Sequence, residues 1–297
     1  MWPMTLVEEG LSNGAVSLSN LFIGKFKAAE CNTYLSDVAQ WCCRGGWPAN
    51  IGKPYEVAME TAASHLESLY DVSIPRMGLS ASTASELITT LALNLAQAAT
   101  FSTLAKDMGR DDEEKQAARS TIERYLDALR RLFIIFEVRG WSAPLRSKAR
   151  ARTKPKRYFV DPSLAAIALH TTPSRLMDDI QTLGNLFETL VMRDVSAFVS
   201  SWSGIGNEVR YYRDETGLEV DIIIEKEGQW AGLEVKLSEA KVDAAADSLL
   251  RLKSKILENP MARINEPAFL AVIIGSGSVA YKRKDGIYVI PIATLTA

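Results

Sequence analysis

Cysteine and histidine are scarce in this sequence, which has three cysteines (Cys31, Cys42 and Cys43) and two histidines (His65 and His170). No two cysteines have the CxxC spacing, and two histidines are too few for the usual zinc sites. Adjacent cysteines rarely bridge each other, so free thiols in a reducing compartment are expected. We therefore predict a cytoplasmic protein without structural zinc or disulfide bonds.

Long apolar runs and an excess of one charge are also missing. No stretch approaches the ~18 consecutive apolar residues of a membrane helix, and the first residues have no basic segment followed by an apolar one. We expect neither a membrane span nor a signal peptide. The formal net charge is −2, so a contact with nucleic acid has to come from a local basic patch.

A loop that binds the phosphates of ATP is absent from the sequence. Such a loop needs the pattern GxxxxGK[ST], in which backbone N–H groups and the lysine hold the phosphates. Gly24-Lys25 is followed by phenylalanine, and Gly52-Lys53 is followed by proline. Neither segment fits the pattern, and we predict no ATP site in this chain.

Apolar periodicity predicts a helical region with a β-ribbon in the first two thirds of the chain. The segment 43–54 is rich in Gly and Pro and is typical of a turn or linker. The predicted elements are helices over 55–74, 84–99, 101–109 and 111–135, and strands over 135–141 and 156–161. Three helices followed by a β-hairpin is the order of a winged helix-turn-helix, which we predict within residues 61–175.

The last third of the chain has a different pattern. It predicts a helix over 178–202, strands over 208–215, 218–228 and 229–238, a helix over 242–258, and strands over 268–277 and 286–295. The order α-β-β-β-α-β-β indicates an α/β domain with a mixed central sheet over residues 176–297. The chain as a whole is therefore predicted to be of mixed α and β class.

The hairpin over 218–237 carries the most informative pattern. A tight turn at 227–228, where glycine suits a positive φ, pairs Asp221 with Glu234. Alternation then places both carboxylates and Lys236 on one face, with opposed Cβ atoms ~4.5–5.5 Å apart. Two carboxylates at that distance repel unless a cation separates them, and Mg²⁺ prefers such oxygen ligands. The alternative is a solvated strand face on which Glu219 and Lys236 form an ordinary cross-strand ion pair.

A basic segment between residues 139 and 157 has eight Lys or Arg residues and no acid. It lies where a winged helix places its wing, and such wings contact phosphates, which favours DNA binding over a merely solvated loop. The candidate DNA contacts are Arg146, Lys148, Arg150, Arg152, Lys154, Lys156 and Arg157, together with Arg213 on a strand of the last domain. Tyr212, next to Arg213, is either a substrate contact or a packing residue.

The hairpin residues resemble the signature of the PD-(D/E)xK nuclease superfamily, without the proline that precedes the aspartate. Asp221 matches the first acid, and Glu234-Val235-Lys236 matches the ExK part. Glu188, in the preceding helix, matches a further acid of that superfamily. The resemblance implies that Asp221, Glu234, Glu188 and the Val235 carbonyl bind Mg²⁺ or Mn²⁺. It also implies that Lys236 orients the attacking water or stabilises charge on a phosphodiester during hydrolysis.

The chain also resembles the C-terminal half of a prokaryotic family of AAA-type ATPases, in which a winged helix and a nuclease-like domain of unknown function follow the nucleotide-binding module. The matching segments are 2–10, 43–48, 120–135, 155–165 and 215–238. Residues 1–60 would then be a remnant of the ATPase lid and linker. Two functions follow from this resemblance: a DNA-binding, magnesium-dependent nuclease, or a non-catalytic DNA-binding or regulatory module of an ATPase.

Overall fold

The computed structural model describes residues 2–109, 115–143, 154–260, 262 and 265–297. The chain divides into two compact units. The helical unit comprises 39–137 and 154–190, and the sheet unit comprises the described residues of 2–38, 138–153 and 191–297. In this division the first 38 residues cluster with the last third of the chain, whereas the predicted boundaries lie at 60 and 175.

The structure confirms the mixed α and β class, with helices concentrated early in the chain and a large sheet at its end. The helices are α1 (Leu18–Phe22), α2 (Leu35–Arg44), α3 (Tyr55–Ser68), α4 (Ile74–Arg76), α5 (Ala81–Leu93), α6 (Phe101–Asp107), α7 (Lys115–Arg131), α8 (Pro162–Ala168), α9 (Pro173–Asp178), α10 (Ile180–Ser201) and α11 (Val242–Leu257). The strands are β1 (Val16–Ser17), β2 (Ala29–Thr33), β3 (Ile135–Val138), β4 (Lys156–Phe159), β5 (Glu208–Arg213), β6 (Glu219–Lys226), β7 (Gln229–Lys236), β8 (Phe269–Ile274), β9 (Gly277–Lys282), β10 (Tyr288–Pro291) and β11 (Leu295–Thr296).

The helical unit contains the predicted series of helices followed by a two-stranded sheet. Helices α5, α6 and α7 precede β3 and β4, which pair with each other. Thr100 caps α6, because its hydroxyl accepts the N–H of Thr103 at 3.0 Å. Residues 144–153, the middle of the predicted basic wing, lie outside the described residues.

The Gly-rich segment before Trp47 is a packed corner of the helical unit rather than a linker. Asp161 is fully buried at the N-cap of α8, where its carboxylate accepts the N–H and the hydroxyl of Ser163 at 2.9 and 2.6 Å. The same carboxylate accepts the N–H of Gly46 at 2.9 Å. Gly45 has φ +72°, and a Cβ added there would lie 2.4–2.6 Å from side-chain atoms of Ser163, Asp161 and Trp47. The corner therefore requires glycine at position 45.

The sheet unit is built on a seven-stranded sheet in the order β2-β9-β10-β8-β7-β6-β5. Strand β8 is parallel to β7 and β10, and the neighbouring pairs toward both edges are antiparallel. The mixed sheet was predicted, but β9 and the N-terminal strand β2 were not. Strand β2 lies at an edge with alternating half-buried and exposed residues, so its apolar signal is weak.

Strands β6 and β7 lie inside the sheet and are covered on both faces. Ile223 and Trp230 belong to the core formed with α11, together with Leu249. Ile222 and Leu233 pair with each other and are turned by alternation to the opposite face. Both are fully buried as well. The alternative of an exposed, charged strand face is therefore wrong for this hairpin.

Candidate functional site

The β6–β7 hairpin positions the predicted acids. Its register pairs Ile222 with Leu233, as predicted. The two turn residues, Glu227 and Gly228, have φ values of 49° and 83°, so the tight turn with positive φ is also confirmed. This register brings Asp221, which precedes Ile222 in β6, toward the carboxyl end of β7.

Strand β6 is irregular where it carries Asp221. Its pairing with β5 shifts by one residue between Ile223 and Val220, which is the signature of a β-bulge. Val220 and Ile223 consequently both belong to the core that α11 covers, although strict alternation would turn them to opposite faces. Within this bulge the carboxylate of Asp221 accepts the backbone N–H of Val235 at 2.9 Å. A backbone hydrogen bond thus fixes the orientation of Asp221.

The ammonium group of Lys236 lies among three oxygen atoms. Its Nζ is 2.5 Å from Glu234 Oε2, 3.0 Å from the carbonyl oxygen of Val235 and 3.5 Å from Asp221 Oδ2. These oxygens belong to three of the four residues predicted to bind a metal. The structure therefore brings Asp221, Glu234 and Val235 around one positive charge, and we call this group the Lys236 cluster.

Glu234 is the most buried acid of the Lys236 cluster, with its side chain only 6% exposed. Burial, and to a lesser extent the negative charge of Asp221, raise the pKa of Glu234 to about 8, although Lys236 acts in the opposite direction. Burial therefore opposes ionisation of Glu234 at neutral pH, and further positive charge beside it would favour the carboxylate.

The raised pKa of Glu234 predicts a stability that falls with rising pH. An unfolded glutamate ionises near pH 4.5 and the folded one near 8, so the native state binds the extra proton between these values. The free energy of unfolding therefore decreases across that window. We expect Glu234→Gln to gain about 1–3 kcal/mol relative to wild type between pH 5 and pH 8.5. Urea denaturation in EDTA at both pH values measures this, and a pH-independent difference would contradict it.

Glu188 has partners that the sequence did not suggest. It lies in the part of α10 that belongs to the helical unit. There it accepts a hydrogen bond from the hydroxyl of Tyr158 at 2.7 Å and lies 3.3 Å from the Nζ of Lys156. Lys156 and Tyr158 are two residues apart on β4, so their side chains share a face. This spacing could have indicated that they have a common partner.

Two of the residues predicted to contact DNA are buried in ion pairs. The side chains of Lys156 and Arg157 are only 3% and 7% exposed, and they pair with Glu188 and Glu137. Neither side chain is displayed on an exposed wing, and a role of either residue in DNA binding stays a prediction. Of the other candidates, Lys154 and Arg213 are exposed. Arg146, Lys148, Arg150 and Arg152 lie outside the described residues.

Tyr212 is a packing residue. It is buried in the core of the sheet unit next to Trp141, and its hydroxyl donates to Asp214 at 3.1 Å. Asp214 also pairs with Lys255 at 2.5 Å. The contacts of Tyr212 are therefore those of a packing residue, and they do not support the alternative of a substrate contact.

Comparisons with known proteins match both parts of the chain. Residues 35–175 match a family described as "Domain of unknown function (DUF8612)", and residues 183–295 match "Domain of unknown function (DUF4143)". The uncharacterized proteins Mb2031c of Mycobacterium bovis and Rv2008c of Mycobacterium tuberculosis are each 24% identical to this chain over 175 residues. Each alignment covers 59% of this chain and 35% of the relative. No solved structure matches.

Among the helices within the described ranges, none combines the length and the apolar character needed to cross a membrane.

Proposed function

We propose that the sheet unit binds Mg²⁺ or Mn²⁺ through Asp221, Glu234 and the carbonyl of Val235, and that it hydrolyses phosphodiester bonds in DNA. The observation that carries this proposal is the convergence of these three oxygen donors on a single positive charge, the ammonium of Lys236. A site that already surrounds a cation has the electrostatic character that a metal ion requires.

The donor set suits a hard divalent cation. Mg²⁺ is usually held by one or two carboxylates and keeps several waters, and Mn²⁺ accepts similar oxygen ligands. Two carboxylates and a carbonyl fill only part of the octahedral shell of Mg²⁺, and the other positions would take water and a phosphate oxygen. In the described part of the chain no group of three or more His, Cys, Asp or Glu side chains is arranged for a metal ion, so the proposal rests on the carbonyl as the third donor.

Each residue of the Lys236 cluster has a defined part in this proposal. A divalent cation bound there would polarise the phosphate and lower the pKa of a bound water. Asp221 is oriented by the N–H of Val235, which donates to Oδ2, the same oxygen that faces Lys236. Glu234 brings a buried carboxyl whose ionised form a bound cation would stabilise. Lys236 contributes positive charge that stabilises the phosphate in the transition state.

The ammonium of Lys236 and a divalent cation compete for the same oxygens. In wild type Mn²⁺ has to displace the ion pairs of Lys236, and in Lys236→Met it does not. We therefore expect Lys236→Met to bind Mn²⁺ about tenfold more tightly than wild type, which corresponds to about 1.4 kcal/mol of binding free energy. Asp221→Asn should bind at least about tenfold more weakly, since it removes a charged ligand. Calorimetric titration with Mn²⁺ measures both affinities.

Lys253→Met is the matched control for this titration. Lys253 also lies in the sheet unit, where it pairs with the exposed Glu266 at 3.0 Å, and its loss should leave Mn²⁺ affinity unchanged. Equal affinities for wild type, Lys236→Met and Asp221→Asn would refute the proposed ligand set.

A second candidate function is a non-catalytic DNA-binding or regulatory module of an ATPase. It is favoured by the ion pairs of Lys236, which neutralise Asp221 and Glu234 without any metal. The resemblance to the part that follows the nucleotide-binding module in AAA-type ATPases points the same way. Absence of Mn²⁺ binding to wild type and to Lys236→Met would favour this second function.

A further inference from the structure

A cavity of about 440 Å³ lies in the helical unit, between the start of α6 and the residues that precede β4. Its lining includes Thr100, Phe101, Ser102, Arg119, Lys154 and Arg157. Among the described residues, this lining contains three cations and no acid. The cavity is within the range of about 300–1,000 Å³ that small-molecule sites occupy, and its walls favour an anion.

The ring of Phe101 holds two of the three cations at the cavity. The guanidinium carbons of Arg119 and Arg157 both lie 5.3 Å from the centre of this ring, which is the range of a cation–π contact. The ring of Phe101 therefore lies beside both arginines that line the cavity.

Both guanidinium groups keep donors for a ligand. Arg119 uses its Nε on Glu123 at 3.0 Å, and Arg157 uses its Nε on Glu137 at 3.1 Å and one Nη on the carbonyl of Ala99 at 2.9 Å. In the described part of the chain, the other N–H groups of these two arginines have no hydrogen-bond partner. The ion pairs thus fix the position of each guanidinium without using all of its donors.

We propose that this cavity binds the phosphate group of a nucleotide or of a nucleic-acid backbone. Planar guanidinium groups match phosphate oxygens in a two-pronged geometry. The hydroxyls of Thr100 and Ser102, which hydrogen-bond to each other at 2.6 Å, lie in the same lining. The volume exceeds that of a lone phosphate and suits a nucleotide unit. This proposal needs no metal and does not depend on the Lys236 cluster.

The test uses the full chain in EDTA, so that hydrolysis and metal binding do not contribute. The probes are a fluorescently labelled DNA duplex, deoxyadenosine monophosphate and inorganic phosphate, with binding followed by anisotropy and by competition. We expect Arg119→Gln and Lys154→Gln each to weaken binding of at least one nucleotide-bearing probe about fivefold or more, and to lower the salt slope for the duplex by about one. The control is Arg131→Gln, which changes an exposed arginine at the end of α7, the helix that carries Arg119. It should change affinity less than about twofold.

The outcomes separate the two sources of the phosphate. If the mononucleotide binds and competes with the duplex, the site takes a free nucleotide; if only the duplex responds to the two variants, it takes a backbone phosphate. Either result supports the cavity. If Arg119→Gln and Lys154→Gln bind every probe as Arg131→Gln does, or if no probe binds wild type, the proposal is overturned. Circular dichroism confirms that each variant is folded.

Discussion

Asp221→Asn and Lys236→Ala are each expected to lower Mg²⁺-dependent nicking of supercoiled plasmid DNA by about 100-fold or more. Asp221→Asn removes the negative charge of an oriented ligand while keeping the shape of the side chain, so the loss reports on cation binding. Lys236→Ala removes the positive charge offered to the phosphate. According to the proposed roles, the first variant loses both metal affinity and rate, whereas the second loses rate although it binds the metal.

The control for this assay is Glu266→Gln, which changes an exposed acid of the sheet unit by the same chemistry. It should nick DNA at the wild-type rate, and EDTA should abolish nicking by every active form. Equal nicking by wild type, Asp221→Asn and Lys236→Ala would show that the activity does not come from this site. No nicking by wild type under any metal would favour the non-catalytic module.

Gly45→Ala is expected to destabilise the helical unit by roughly 2–4 kcal/mol. The substitution places a methyl group within 2.4–2.6 Å of atoms of Ser163, Asp161 and Trp47, at a backbone φ of +72°. Relief of that clash would displace the buried Asp161 carboxylate from its hydrogen bonds to Gly46 and Ser163. The measurement is urea denaturation followed by tryptophan fluorescence and circular dichroism.

Gly52→Ala separates the two causes of this destabilisation. Gly52 has nearly the same φ, +70°, but an added Cβ would meet nothing within 4 Å. It should therefore cost only about 1 kcal/mol, from the left-handed backbone alone. A Gly45→Ala variant as stable as Gly52→Ala would mean that the corner around Asp161 adapts easily, against its close packing in the structure.

The hairpin register could be predicted because local signals agree there. Glycine at the second turn position and alternating residues on both strands allow one pairing only, and the structure has it. The bulge at Asp221 could not be predicted, because it depends on how β5 pairs with β6 rather than on β6 itself. Strand β2 was missed for a similar reason, since it gains its place only by pairing with the distant β9.

The burial of charged residues was the other limit of prediction. Lys156 and Arg157 belong to a run of basic residues that is typical of a solvated loop, yet both have acidic partners far along the chain. Glu188 matched a family position by its place in a helix, but its contacts in the structure are with Lys156 and Tyr158. Charge counts along the sequence do not reveal such pairings, because they depend on tertiary contacts.

In the proposed function Asp221, Glu234 and the Val235 carbonyl form a cation site, which Lys236 occupies when no metal is bound. The most direct measurement is anomalous X-ray diffraction from a wild-type crystal soaked in Mn²⁺. We predict a single strong peak within about 2.5 Å of all three oxygens, with the Lys236 ammonium moved away from them. A crystal that shows no peak there, with Lys236 still paired to Glu234 at saturating Mn²⁺, would contradict the claim.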